Sequence, residues 1–138
     1  MRPFGKGRAA YVAGGLGSTY ADYGVPGMRK LLDGLAERFT DSNLRLENAW
    51  PSVEAELRLQ PERRALLLHF VNHTAFMRRP AEDLIPCGGI RVSLRTGSPV
   101  RRIRTLFYPA ELPFCERDGK VEFTVNVRDY ELVEVQLR

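Results

Sequence analysis

The chain has 138 residues, 43% of them hydrophobic and 28% charged, and a formal net charge of +4. That length suits one ordinary domain with a real core and excludes two large ones, and the composition is that of a folded protein rather than a disordered tail. No apolar segment approaches the ~20 residues of a membrane helix and the N-terminal glycines fit a signal peptide poorly, so a cytoplasmic location with no membrane partner is the expectation.

Gly7–Ala13 has the composition of a short strand, and Gly14, Gly15 and Gly17 follow it. A strand followed by glycines invites a dinucleotide reading, but the third glycine of that fingerprint is absent and the predicted helix starts too late. No Gly-Lys-Ser/Thr closes a phosphate loop, and the segment reads as a flexible connection. From Pro26 to about Phe39, the residues Met28, Leu31, Leu32, Leu35, Ala36 and Phe39 make one apolar stripe at helical spacing. Pro26 suits the first turn, and Thr40-Asp41-Ser42-Asn43 ends the helix by competing for its backbone groups.

From Leu44 onward the pattern is β. Val53, Ala55, Leu57 and Leu59 alternate with Glu54, Glu56, Arg58 and Gln60, which predicts a strand with one wet face. After a turn at Pro61–Arg64 comes the longest apolar run, Ala65–Thr74, expected as a central strand covered on both faces. Phe76–Gly89 holds two prolines and two glycines and reads as a long connection. Ile90, Val92 and Leu94 form the next strand, Gly97-Ser98-Pro99 turns the chain, and Val100–Tyr108 resumes. Asp118-Gly119 marks a two-residue hairpin turn, which sets Phe114 opposite Phe123 and Leu112 opposite Val125. Tyr130–Leu137 closes the series. About seven short strands at regular spacing predict an antiparallel β-sandwich.

Few side chains suggest chemistry. His69 and His73 would lie on one face of a strand but ~13 Å apart, with no evident third ligand, so histidines hydrogen-bonded to backbone are expected rather than a metal site. Asn72-His73-Thr74 fits a glycosylation sequon, which matters only in a secreted eukaryotic chain, and bonding of the backbone by Asn and Thr where a strand stops is the expected role. Glu54 and Glu56 share a solvent face and Glu82-Asp83 fall in a loop, neither resembling a pair arranged about a glycosidic bond. No Gly-x-Ser-x-Gly elbow is present. Cys87 and Cys115 lack a metal-ligand companion and are expected as buried free thiols, unless neighbouring strands bring them together. The densest basic group is Arg101, Arg102 and Arg104, with Arg78–Arg79 next. No nucleic-acid motif accompanies them, so a solvated face is preferred to nucleic acid, with polyanion binding an alternative. No catalytic, cofactor-binding or metal-ligating residue is assigned.

The segments GKGRAAYVAGGLGSTYADYGVPGMRKLLDGL, LLLHFVNHT, EDLIPCGGIRVSLR and DGKVEFTVNVRDYELVEVQL, in that order, resemble the C-terminal region of hypothetical bacterial glycoside hydrolases of β-galactosidase-like or α-fucosidase-like type. In such enzymes a catalytic barrel precedes a glutamine-amidotransferase-like trimerisation domain and a small β-sandwich. The resemblance implies that residues 1–43 are a strand–loop–helix segment like the tail of the trimerisation domain, and that residues 44–138 are the sandwich. It carries over no catalytic residue, since those lie on the barrel. It implies a non-catalytic accessory module serving assembly or stability, with the catalytic part of a hydrolase or a second copy of the chain as partner. A carbohydrate-binding sandwich is the alternative, though Trp50 is the only tryptophan available as a platform. The helical stripe needs cover, so the N-terminal segment is expected to pack on the sandwich as one compact unit.

Overall fold

A computed structural model describes residues 2–40, 42–74 and 84–138. The chain forms two compact units, Met1–Ser42 and Asn43–Arg138. Among the described residues, every buried member of the hydrophobic core lies between Val53 and Val135.

The first unit opens with a small hairpin, β1 (Arg2–Phe4) against β2 (Gly7–Ala9), turned at Gly5 with φ 57°. The glycine segment is not a loose connection: α1 (Leu16–Tyr23) begins inside it. The prediction failed there because Gly15 and Gly17 lower helix propensity without forbidding a helix. Leu16, Thr19 and Tyr20 are its half-buried residues, spaced as one helical face. Gly24 stops it in the left-handed conformation, its N–H bonded to Tyr20 O at 2.8 Å. α2 (Pro26–Phe39) follows as predicted, with Pro26 in the first turn and Thr40 bonding Ala36 O through both its N–H and its hydroxyl. Met28, Leu32 and Leu35 are half-buried, whereas Leu31 and Phe39 are exposed.

The second unit is the β-sandwich, built from two antiparallel sheets. One has four strands in the order β3 (Leu44–Glu47), β6 (Cys87–Arg95), β10 (Lys120–Val127) and β9 (Phe114–Arg117). The other has five, in the order β4 (Val53–Gln60), β5 (Ala65–Asn72), β11 (Tyr130–Leu137), β7 (Val100–Thr105) and β8 (Ala110–Glu111). These are nine strands where about seven were expected, because β3 and β8 are too short for alternation to show. Leu68, Phe70, Ile103, Val133 and Val135 from the larger sheet meet Ile90, Val92, Leu94, Val121 and Val125 from the smaller in one cluster. Burying such apolar faces against each other is what stabilises a sandwich, at roughly 25 cal/mol per Å² removed from water.

Strand β5 lies inside its sheet, flanked by β4 and β11. Only one of its faces is fully buried. Leu66, Leu68, Phe70 and Asn72 point into the core, while Leu67, His69 and Val71 are half-buried on the outer face. At the Asp118-Gly119 turn both residues take positive φ, 52° and 72°, and Phe114 stands opposite Phe123 as expected. The second expected pair, Leu112 with Val125, does not form. The chain leaves the smaller sheet at Pro113, which has no N–H to give, and Leu112 N–H instead bonds Ile103 O of the larger sheet at 2.9 Å. β8 and β9 are therefore one run of chain that crosses between sheets.

Strand β6 begins at Cys87, earlier than predicted, because a bulge accommodates its glycines. Between the pairs Ile90–Val125 and Cys87–Val127 the register shifts, Gly89 takes φ 68°, and its N–H bonds Asn126 Oδ1 at 2.8 Å. β7 ends at Thr105, short of the predicted Tyr108, and the next four residues turn.

Candidate functional site

That turn builds the most distinctive surface of the sandwich. Glu131, 2% exposed, lies beneath it and accepts hydrogen bonds from Phe107 N–H and Leu132 N–H at 3.0 Å, and from Tyr108 N–H at 3.3 Å. Thr105 Oγ1 donates to Tyr108 O and accepts from Ala110 N–H at 2.9 Å. A buried carboxylate with three backbone donors and a hydroxyl clip thus hold the loop, since leaving those N–H groups unpaired would cost roughly 1–3 kcal/mol each. The loop in turn holds Phe107 and Tyr108 outward, 53% and 44% exposed.

Phe107 meets Tyr108 edge to face at 5.1 Å and Tyr130 at 5.5 Å. Such T-shaped contacts favour a fixed ring arrangement over a sliding one. Tyr130 extends the group along the outer face of the larger sheet to His69, whose Nδ1 lies 2.8 Å from the tyrosine hydroxyl. Asp129 lies at its edge, with Oδ1 accepting from Tyr130 N–H at 2.9 Å and from Tyr108 O–H at 3.2 Å. The Tyr130 N–H is the chief reason the Asp129 carboxyl sits below its ordinary range, with the Tyr108 hydroxyl a smaller cause. Desolvation, then the bond to Asp129, raises the Tyr108 phenol. The result is an aromatic platform edged by a carboxylate and an imidazole, able to stack against a flat, weakly polar ligand and hydrogen-bond its rim.

The predicted candidates are scattered by comparison. His69 and His73 do not converge on a ligand. His69 bonds Tyr130, and His73 extends past the strand with Nε2 3.3 Å from Glu54 Oε2 and its N–H on Ser52 O. For His69 a side-chain partner, the Tyr130 hydroxyl, stands where a backbone bond was expected. Among the described residues no group of three His, Cys, Asp or Glu is placed to hold a metal. Asn72 is buried at 4% exposure, with Nδ2 donating to Ile85 O and Arg128 O, both at 2.8 Å, and Oδ1 accepting from Thr74 N–H. Thr74 Oγ1 accepts from Ile85 N–H, so both residues tie the end of β5 to its neighbours. Glu54 and Glu56 do share the solvent face of β4, and Glu56 pairs with Arg58 at 2.9 Å.

Cys87 is buried but Cys115 is exposed, which corrects the expectation of two buried thiols; both are free. Their strands each flank β10 rather than each other, so they could not meet. Arg101, Arg102 and Arg104 do not form an open basic patch. Arg104 Nε sits 2.6 Å from Glu134 Oε2, Arg102 faces Gln136 across the ladder, and Arg101 alone is fully exposed. Trp50 is 43% exposed. Glu82, Asp83, Arg78 and Arg79 lie outside the described residues. A concavity of about 430 Å³ lies over the smaller sheet between Glu47, Arg91, Ser93, Cys115 and Thr124. It carries the Arg91–Glu47 ion pair at 2.9 Å, and Phe114 and Phe123 also line it.

Sequence reasoning missed the platform because its parts are distant in the chain. A pair of adjacent exposed aromatics after a strand, Phe107-Tyr108, was the one available signal.

In sequence order the architecture is a short helical unit followed by a β-sandwich. The fold is similar to part of α-L-fucosidase isoenzyme 2 from Paenibacillus thiaminolyticus, with a TM-score of 0.73 and 21% identity over 89% of this chain. The chain spans 20% of that protein's length, and at this identity the likeness concerns the fold. No family model matches the chain. No curated protein matches it either.

Proposed function

We propose that the chain is an accessory module of a glycoside hydrolase, of fucosidase-like or galactosidase-like type, contributing to assembly or stability while hydrolysis is carried out elsewhere in the enzyme. The observation that carries this reading is the fold likeness to an α-L-fucosidase, which covers 89% of this chain and so takes in the great majority of its length. The interior of the sandwich fits a structural role, because its buried carboxylate and amide are spent on holding backbone. Incubating the purified chain with aryl α-fucosides and aryl β-galactosides should give no turnover. Saturable hydrolysis of either, abolished by no more than removing the protein, would overturn the proposal.

A second reading is favoured by the Phe107–Tyr108–Tyr130 group, which supplies the clustered exposed aromatics that the lone tryptophan does not. A sugar stacked on Tyr108 or Phe107 would find the Asp129 carboxylate beside Tyr108, with His69 farther along, at the Tyr130 hydroxyl. Calorimetric titration with fucosides, galactosides and plant oligosaccharides decides it. Binding that disappears in Tyr108→Ala supports the platform, and no heat at millimolar ligand discards it.

A further inference from the structure

The larger sheet ends on one side at β4, whose eight residues pair with β5 along their full length without a register shift. Among the described residues β4 has no strand on its other side, and it is the longest free edge: β3 and β9 have four residues and β8 two. A flat, open edge of this length normally carries a proline, a bulge or an inward lysine to prevent pairing. Val53–Gln60 contains no proline, lysine or bulge. Its only guard is charge, from the exposed Glu54, Glu56 and Arg58. Leu59, on the core-facing side of the strand, remains 63% exposed at this margin.

The order of those charges selects one self-pairing. Two copies of β4 related by a two-fold axis through the sheet must place residues of the same face opposite each other. Centring the axis on Ala55 sets Glu54 against Glu56, centring it on Glu56 sets that carboxylate against itself, and centring it on Arg58 sets two guanidinium groups together. Centring it on Leu57 places Glu56 opposite Arg58 twice and Glu54 opposite Gln60 twice. On the inner side it places Leu57 on Leu57 and covers each Leu59 with an Ala55. Opposite charges across a strand pair are favourable and like charges are not, and among registers within Val53–Gln60 only the one centred on Leu57 joins opposite charges without also setting like charges together.

We propose that a second copy of this chain pairs antiparallel through β4 with Leu57 on the axis, making a continuous ten-stranded sheet from the two five-stranded ones. This pairing is independent of the functional readings above. Sedimentation equilibrium of the full chain, from micromolar to hundreds of micromolar, should give twice the monomer mass. Arg58→Glu puts carboxylates opposite Glu56 and should weaken the dimer about tenfold or more. The double change Glu56→Arg with Arg58→Glu restores opposite charges and should bring association back. Gln60→Glu, which opposes Glu54, should weaken it independently, with folding of each variant checked by circular dichroism. A wild-type chain monomeric over the whole range, or a dimer insensitive to both Arg58→Glu and Gln60→Glu, overturns the proposal.

Discussion

Asn72 closes β5 by making three hydrogen bonds from one buried amide, two as donor to Ile85 O and Arg128 O and one as acceptor from Thr74 N–H. Removing it leaves Arg128 O and Thr74 N–H without that partner, and Ile85 O with only the Thr74 hydroxyl at 3.4 Å. Asn72→Ala should therefore cost about 2–4 kcal/mol, read as a shift of the urea midpoint. Asn72→Asp keeps the shape but aims an acceptor at two acceptors, so it should be no better tolerated. A loss below ~0.5 kcal/mol for both would show that water replaces the amide. The sequence made the local half of this legible: Asn and Thr two residues apart at the end of an apolar run suit backbone bonding. The other half was not, because Arg128 is 56 residues away. The same distance hid the aromatic platform, whose Phe107 and Tyr130 meet only once β7 and β11 are side by side.

At the scale of single elements, periodicity was the dependable signal. The alternation of β4, β10 and β11, and the stripe of α2, were legible because each repeats one choice, apolar or polar, at the spacing of its own geometry. Elements defined by one or two residues were not. α1 was hidden by its glycines, β8 by its two-residue length, and the crossing at Pro113 by the absence of any pattern that announces a change of sheet. The Asp118-Gly119 turn shows the opposite case, a structure written in two residues. Gly119 holds φ 72°, where a β-branched side chain crowds the backbone. Gly119→Val should cost about 1–2 kcal/mol in a denaturant titration. No measurable loss would mean that the hairpin adopts another turn without losing the Phe114–Phe123 pair.

For the molecule as a whole, the composition of the core makes a prediction about independence. All buried core residues belong to Asn43–Arg138, and neither helix contains a buried residue. Residues 43–138 alone should unfold cooperatively with a midpoint close to that of the full chain. Residues 1–42 alone should show weak, non-cooperative helicity, because helices of eight and fourteen residues are marginal in water without packing. A large loss of cooperativity in residues 43–138 would show that the helical unit contributes to the sandwich. The order of strands within the sheets could not have been read from the chain, since alternation says which face is buried and not which neighbour lies alongside.

The place of β11 in that order has a consequence for synthesis. It lies between β5 and β7, paired with the first from Tyr130 to Gln136 and with the second from Val133 to Leu137. Residues 53–72 and 100–111 can therefore be translated and emerge without being able to join into one sheet. They must wait for residues 130–137, and until these leave the ribosome the two halves of the larger sheet present open edges at β5 and β7. Pairings between residues so far apart in sequence form late and slowly. The nascent chain is thus exposed to chaperones and to mispairing for longer than its modest size suggests, and that interval closes with a single strand.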